Sequence, residues 1–267
     1  MKTDDLGTRM KKYEHTFRHY LMRRQPVIIR LDGKAFHTFT KGMKKPFDLI
    51  LATTMWETTK YLCQKIQGCK LGYTQSDEIS LLLTDYEKLN IDPWLDYNIQ
   101  KMTSISASIA TWAFNHFFNI NVQNVVSKDS TYDIVKYVDK VGFFDSRVFN
   151  LAKEEVCNYM IWRQQDASKN SISMVAQANF SHKELLNKNS SEMQEMLFSQ
   201  KNINWNDIIT PYKRGLCVTK KPTRLSLEGP EGSIGYMRYP WELDMDIPIF
   251  SQNRFYIEDY VYPENQK

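Results

Sequence analysis

The stretch LGYTQSDEISLLL (71–83) sets Asp77 and Glu78 between two apolar runs. KLGYTQ (70–75) and ISLLL (79–83) read as paired strands, with Ser76, Asp77 and Glu78 as the turn of a β-hairpin. A turn accepts Asp readily, so taken alone the two carboxylates describe a solvated loop. A chemical role requires a second acidic position that the fold brings to the same place.

Upstream, PVIIRLDG (26–33) is a short β-branched run ending in Asp-Gly, the pattern of a strand entering a turn. FDLILATTMWETTKYLCQKI (47–66) reads as a helix and is followed by Gly68. Downstream, 94–118 reads as a further helix and VGFFDSRVFNL (141–151) as a strand. The order βαββαβ points to an α+β protein of ferredoxin-like type, an antiparallel sheet with helices on one face. Residues 4–22 have helical spacing, with Leu6, Met10, Tyr13, Phe17 and Leu21 on one stripe. Residues 152–180 form a long helical candidate. The last sixty, with Pro211, Pro222, Pro230, Pro240, Pro248 and Pro263, read as irregular and extended. The expected division is a catalytic domain with its N-terminal helix over 1–150 and a helical and extended C-terminal region over 151–267. The second is expected to pack on the first or to continue it.

Composition sets outer limits. With 42% hydrophobic and 25% charged residues, the chain is ordinary globular material rather than a disordered one. No apolar run approaches the roughly 18 residues that span a bilayer, and the first residues lack a signal-peptide core. Cys63, Cys69, Cys157 and Cys217 are scattered and form no CxxC pair, the usage of reduced thiols in a cytoplasmic protein. Net charge is only +4, but it is unevenly spread. Residues 1–45 carry 12 Lys and Arg against Asp4, Asp5, Glu14 and Asp32, and 211–224 carry five basic residues and no acid. Residues 77–97 hold six acids against Lys88. Basic ends around an acidic centre suit a polyanion gripped at its phosphates with a cation in the middle.

In the βαββαβ topology the first and third strands are central neighbours. Asp32, ending the first strand, and Asp77, in the hairpin turn, can therefore meet at one edge of the sheet. Two carboxylates brought together repel unless a divalent cation sits between them, and hard oxygen ligands with open positions favour Mg²⁺. A pair of such ions suits in-line phosphoryl displacement. DGKAFHTFT (32–40) offers backbone N–H groups from Gly33 through His37 as a triphosphate cradle, with Lys34, Lys41, Lys44 and Lys45 near in sequence to neutralise it. His37 can face phosphate or base, or pack beside Phe36 and Phe39.

RLDGKAFHTFTKGMKKPFD (30–48), GYTQSDEISLLL (72–83), FDSRVFNL (144–151), WRQQDASKNS (162–171), EMLFSQKNINWND (195–207) and PYKRG (211–215) occur in consistent order. Together, over roughly residues 5–220, they resemble the tRNA(His) guanylyltransferase family and its Thg1-like relatives. The resemblance implies a polymerase-like palm that adds nucleotides in the 3′ to 5′ direction. It implies catalytic Asp32, Asp77 and Glu78, with two Mg²⁺ ions held by Asp32, Asp77 and the Gly33 carbonyl. The nucleoside triphosphate site would comprise Asp32, Gly33, Lys34, Ala35, Phe36, His37, Lys45, Ser76, Asp77 and Lys101. Arg163, Gln164, Asp166, Asn170, Tyr212, Lys213 and Arg214 would face tRNA, and the assembly would be a homotetramer, a dimer of dimers. The chain departs from the eukaryotic pattern after WRQ-D. There the family reads Cys-His-Ile-Asn-Asn, whereas here the residues are Ala167-Ser168-Lys169-Asn170-Ser171. That places it nearer the Thg1-like proteins of bacteria, archaea and phages, which repair truncated tRNA 5′ ends by templated addition.

The implied reaction is attack of the 3′-hydroxyl of GTP, ATP or another NTP on an activated tRNA 5′ phosphate, with AMP or pyrophosphate leaving. The basic segments 9–24 and 211–224 are the candidates for tRNA contact. Two alternatives use some of the same residues. A palm-type nucleotide cyclase also needs an acidic hairpin and a bound NTP but gives a cyclic product without RNA. A non-catalytic RNA-binding protein keeps the basic patches but needs neither Asp32 nor Asp77. Labelled GTP incubated with and without tRNA separates the three.

Overall fold

The structure is a computed structural model that describes residues 5–229 and 232–262, with side-chain surroundings given outside 225–235. Residue 4, where the expected first helix begins, lies outside the described residues, as do Pro230 and Pro263. In chain order the elements are α1 (Leu6–Thr16), β1 (Val27–Gly33), α2 (Phe36–Phe39), α3 (Leu49–Lys65), β2 (Cys69–Gln75) and β3 (Glu78–Leu83). They continue with α4 (Ile99–Val126), β4 (Phe144–Asn150), α5 (Lys153–Asn179), α6 (His182–Leu185), α7 (Ser190–Lys201) and α8 (Thr210–Arg214). The chain closes through β5 (Leu216–Lys220), β6 (Thr223–Gly229), β7 (Gly232–Arg238), β8 (Trp241–Asp244) and α9 (Phe255–Val261).

The expected antiparallel four-strand unit is present as β4-β1-β3-β2, and β5 and β8 extend it beyond β2 to six strands. Those last strands correct the reading of the C-terminal stretch as irregular. Prolines 222 and 240 stand outside the strands, and the short runs before the first and after the second pair edge to edge, Thr74 with Leu216 and Val218 with Leu243. β6 and β7 form a separate two-stranded ribbon.

The pleat sends alternate residues of each strand to opposite faces. Ile29 and Leu31 of β1 and Ile79, Leu81 and Leu83 of β3 bury against the face covered by α3 and α4. Ile28, Leu82, Leu71 and Tyr73 bury against α5 and α9 on the other. The two palm helices thus share one face, and the C-terminal region covers the second. α3 begins where the Asp48 carboxylate accepts from Leu51 N at 3.1 Å, and the hydroxyls of its buried Thr54, Thr58 and Thr59 return to carbonyls one turn back. α4 starts at Ile99, capped by Asn98, rather than at 94, and runs on to Val126 rather than ending near 118.

α1 stops at Thr16, short of the expected residue 22. Beyond it Tyr20 pairs with Asn98, and Leu21 N donates to the Tyr97 carbonyl at 3.0 Å, so the chain is extended there. Leu21 is the one member of the expected stripe that packs on the core; Leu6, Met10, Tyr13 and Phe17 are exposed.

Candidate active site

Antiparallel register fixes what meets at the end of β1. Asp32 stands opposite Glu78 on β3 and Asp145 on β4, and Gly33 N donates to the Asp77 carbonyl at 3.1 Å. That bond ties the last residue of β1 to the hairpin turn, which Ser76 opens in the left-handed region at φ 49°. Asp32 and Asp77 therefore share the wall of a cavity of about 530 Å³ that also touches Gly33, Ala35, Phe36, His37, Lys45 and Ser76. α3 closes it with Asp48 and Leu51, and α5 with Met174 and Gln177.

Burial drives the electrostatics. It pushes the Asp77 carboxyl up to about 6, and the charge of Asp32 adds to the effect while a hydrogen bond from Ser76 opposes it. Asp32 is raised for the same first reason, with Glu78 as the next cause. Its nearest cations, Arg30 at 4.0 Å and Arg147 at 3.9 Å, are too far for close pairing. Among the described residues no group of three or more His, Cys, Asp or Glu could by itself hold a metal ion. Two under-compensated carboxylates beside an open, polar cavity nevertheless fit Mg²⁺, which keeps water and phosphate oxygens in its remaining positions.

Glu78 is differently placed. One of its oxygens accepts from Arg30 at 2.5 Å and the other from Arg163 at 2.7 Å. Arg163 is 4% exposed, reaches Asp166 at 3.4 Å and lies 3.6 Å over the Trp162 ring. This corrects Arg163 as a tRNA-facing residue, because burial removes it from any RNA. Gln164 is corrected likewise, since its amide accepts from Phe250 N at 2.8 Å and donates to the Pro248 carbonyl at 2.9 Å, pinning the C-terminal segment to α5. Asn170 is exposed and Asp166 half-buried.

The loop after β1 is held from behind. Lys34 N donates to the Phe143 carbonyl at 2.8 Å, and the Phe36 ring packs on Phe39, Phe114 and Phe144. A Cβ on Gly33 would lie 2.4 Å from that ring, so only glycine permits the approach. Of the five N–H groups expected as a cradle, those of Gly33 and Lys34 are thus spent on the loop itself, leaving Ala35, Phe36 and His37. His37 is exposed and lines the cavity, while Phe36 and Phe39 are buried.

The lysines divide. Lys45 lines the cavity, exposed. Lys44 also borders it, but its ammonium group is tied to Asp129 at 3.2 Å, to the Thr131 hydroxyl and to the Tyr132 ring. Lys101 is not brought to the site. Asn115 of α4 bonds Gly142, which packs beside Phe36, and α4 runs back from there to Lys101 over about 20 Å at about 1.5 Å per residue. The residue sits exposed at the far end of the sheet.

Of the late basic motif, Tyr212 stacks flat on Phe47, centroids 4.6 Å apart, and lines a small apolar cavity of about 60 Å³ with Trp56 and Met55. That cavity shares Asp48, Leu51, Ser76 and Met174 with the large one. Lys213 donates to the Asn206 carbonyl at 2.5 Å, and the Arg214 carbonyl accepts from the Tyr73 hydroxyl at 2.7 Å. Tyr212 is thereby corrected from an RNA contact to a packing residue, whereas Lys213 and Arg214 are half-buried and keep part of their side chains at the surface. Arg30 and Asp145 were missed. Both lay inside quoted motifs, and period-two spacing from Asp32 and Arg147 was the signal for them.

A palm sheet carrying an acidic residue at the end of β1 and another in the β2–β3 turn, both on the wall of a polar cavity of about 530 Å³ that Lys45 borders, defines a nucleotidyltransferase. The family model for tRNA(His) guanylyltransferase matches residues 7–152, and the chain belongs to that family, whose members add nucleotides 3′ to 5′ at tRNA 5′ ends. A solved bacterial tRNA(His) guanylyltransferase (Thg1)-like protein in complex with ATP is 47% identical, covers 97% of this chain and 100% of its own, and superposes with a TM-score of 0.81. The Saccharomyces cerevisiae tRNA(His) guanylyltransferase is 28% identical over 209 residues, 73% of this chain and 82% of the yeast protein. The crystal structure of the enzyme from that yeast, 22% identical by structural comparison with a TM-score of 0.61 over 90% of this chain and 98% of that one, shares the fold. Among the described residues no helix is long and apolar enough to cross a membrane.

Proposed function

We propose that the large cavity binds a nucleoside triphosphate, GTP or ATP among them, with its phosphates against Ala35, Phe36, His37 and Lys45, and that Asp32 and Asp77 are the catalytic carboxylates. The observation that carries this is the convergence of those two acids, one pushed up to about 6 by burial, on the wall of the cavity that Lys45 borders. Two Mg²⁺ ions held by Asp32, Asp77 and the Gly33 carbonyl would acidify the attacking 3′-hydroxyl and stabilise charge on the departing group. The chain's own residues position the rest. The loop of 33–37 orients the triphosphate, Lys45 offsets its charge, and the Arg30–Glu78–Arg163 cluster fixes the end of the hairpin. In this reading the NTP 3′ oxygen forms a bond to the 5′ α-phosphorus of an activated tRNA, and the bond to AMP or pyrophosphate breaks.

The exposed Asn170 and the basic segments 9–24 and 211–224 are the proposed tRNA surface, in a cytoplasmic homotetramer. All four cysteines are free and buried, as a reducing compartment allows. Ser168 stands where the eukaryotic pattern has His, and its hydroxyl donates to the Gln164 carbonyl at 3.0 Å within α5. This supports templated 5′-end repair as the activity over guanylate addition to intact tRNA(His). The deciding assay pairs a tRNA lacking its first nucleotide with intact 5′-monophosphorylated tRNA(His). Extension of the truncated substrate by the templated base alone is the expected result. Preferential addition of G to the intact tRNA would overturn it.

A further inference from the structure

The N-terminal helix is the element that its own chain leaves uncovered. Every residue from Asp5 to Tyr20 is exposed, and α1 contributes no buried side chain. Leu6 is 65% exposed, Met10 45%, Tyr13 68% and Phe17 68%. A helix shorter than about 12–15 residues is marginal in water without a partner, and α1 has 11, capped by Asp5 through Thr8 N at 2.7 Å. Three large apolar side chains on such a helix, with Phe17 at its C-cap, call for a surface to bury them.

Their spacing says what kind. Leu6, Met10, Tyr13 and Phe17 follow one another by four, three and four residues, the d-a-d-a seam of a coiled coil. With Leu6 and Tyr13 at d, Arg9 falls at the g position before Met10, and Glu14 at the e position after Tyr13. In a parallel pair of helices, a g residue of one faces the e residue five places further along the other, so Arg9 of each helix meets Glu14 of its partner. Among the described residues neither makes an ion pair within its own chain. In an antiparallel pair g faces g and e faces e, which cannot match Arg9 to Glu14. The seam is thus complementary to itself in one orientation, the property of a two-fold interface between identical chains. Lys11, Lys12 and His15 lie on the opposite side of the helix, away from the seam.

We propose that α1 is an assembly helix that pairs in parallel, about a two-fold axis, with α1 of a second copy of this chain. The expected tetramer names neither this surface nor its charge code, and the proposal does not depend on the catalytic assignment. The pairing leaves the nucleotide cavity open. α1 is moored through His19, whose carbonyl accepts from Ile99 N at 2.9 Å, at the start of α4, the end of the sheet away from Asp32.

The test uses the full-length protein without RNA and reads mass by sedimentation equilibrium over a dilution series. Arg9→Glu alone and Glu14→Arg alone each turn two attractive pairs into repulsive ones and should raise the dissociation constant roughly tenfold. An equimolar mixture of the two variants should associate as tightly as the unaltered chain, because one helix then carries only acids at these positions and the other only bases. Tyr13→Cys should also join two chains through one disulfide on mild treatment with oxidised glutathione, which takes up the two electrons. The native thiols are buried and do not compete. Unchanged mass for both reversals, a mixture no tighter than its components, or no crosslink at position 13 would each overturn the proposal. So would reversals that alter tRNA affinity alone. The altered side chains are exposed within the chain, so unchanged near-ultraviolet circular dichroism will confirm that each variant keeps its folded core.

Discussion

Replacing Asp77 by asparagine should make the magnesium-free protein more stable while abolishing nucleotide addition. The ordinary aspartate value of 3.8 rises to about 6 in the fold because burial disfavours the ionised carboxylate and Asp32 adds its charge. At about 1.4 kcal/mol per pH unit, holding this group ionised costs up to about 3 kcal/mol, and partial exposure of the turn reduces that to about 1–2 kcal/mol. Between 3.8 and about 6 the folded protein holds this proton more tightly than the unfolded chain does. Stability therefore falls as pH rises through that window and stays at the lower plateau above it. The asparagine side chain carries no such charge, so at about pH 7.5 without Mg²⁺ the variant should melt about 3–5 °C higher, with the difference vanishing by about pH 3.5. Millimolar Mg²⁺ should raise the melting temperature of the unaltered protein and leave the variant where it is. A variant that melts at or below the unaltered protein near neutral pH without Mg²⁺ would refute the electrostatic argument, and one that keeps the full response to Mg²⁺ would refute the assignment of Asp77 as a cation ligand.

Lys45→Ala should raise KM for the NTP at least several-fold with little change in melting temperature, whereas Lys44→Ala should mainly lower the melting temperature, because the Lys44 ammonium is engaged by Asp129, Thr131 and Tyr132. Steady-state kinetics beside thermal melts separate the two, and equal KM effects would mean that both lysines serve the phosphates. Arg163→Met should cost about 3 kcal/mol in urea denaturation by leaving a Glu78 oxygen without its cation. A lysine at that position should recover little, since it cannot hold Glu78 and Asp166 at once while lying flat on Trp162. A loss below about 1 kcal/mol together with weakened tRNA binding would return Arg163 to the RNA surface.

The central hairpin and the meeting of Asp32 with Asp77 were legible because they follow from local rules. A β-branched run ending in Asp-Gly and two apolar runs about a three-residue turn allow few arrangements within a βαββαβ order. The end of α1 was not legible. The apolar period continues to Leu21, but the backbone leaves the helix after Thr16 to bond Tyr97 and Asn98, which lie far along the chain. β5 and β8 escaped for a similar reason. Four or five residues between prolines acquire strand character only from the edges they meet, β5 on β2 and β8 on β5. Gln164 and Lys213 sit in motifs whose polarity suggests RNA, yet both satisfy backbone carbonyls, a use that cannot be told from solvent-facing polarity without the fold. Lys101 shows the converse: likeness of motif carried a residue to a site that the direction of α4 keeps it from.

The strand that leads into the Asp77 turn is flanked by neighbours of very different age during synthesis. β3 follows β2 at once and pairs with it as soon as both leave the ribosome, whereas β5 is made only after the long α5 and everything between. Until then the far edge of β2 presents unpaired backbone groups, and Leu71 and Tyr73 lack the cover of α9 and the Phe250 segment. An open edge beside bare apolar side chains is a template for adhesion to other chains. The nascent enzyme is therefore most prone to aggregation after the β2–β3 hairpin has been made and before its last strands and helix arrive. Slow translation or premature termination in that interval should load chaperones with chains that already carry Asp32 and Asp77 but cannot yet hold them in a finished sheet.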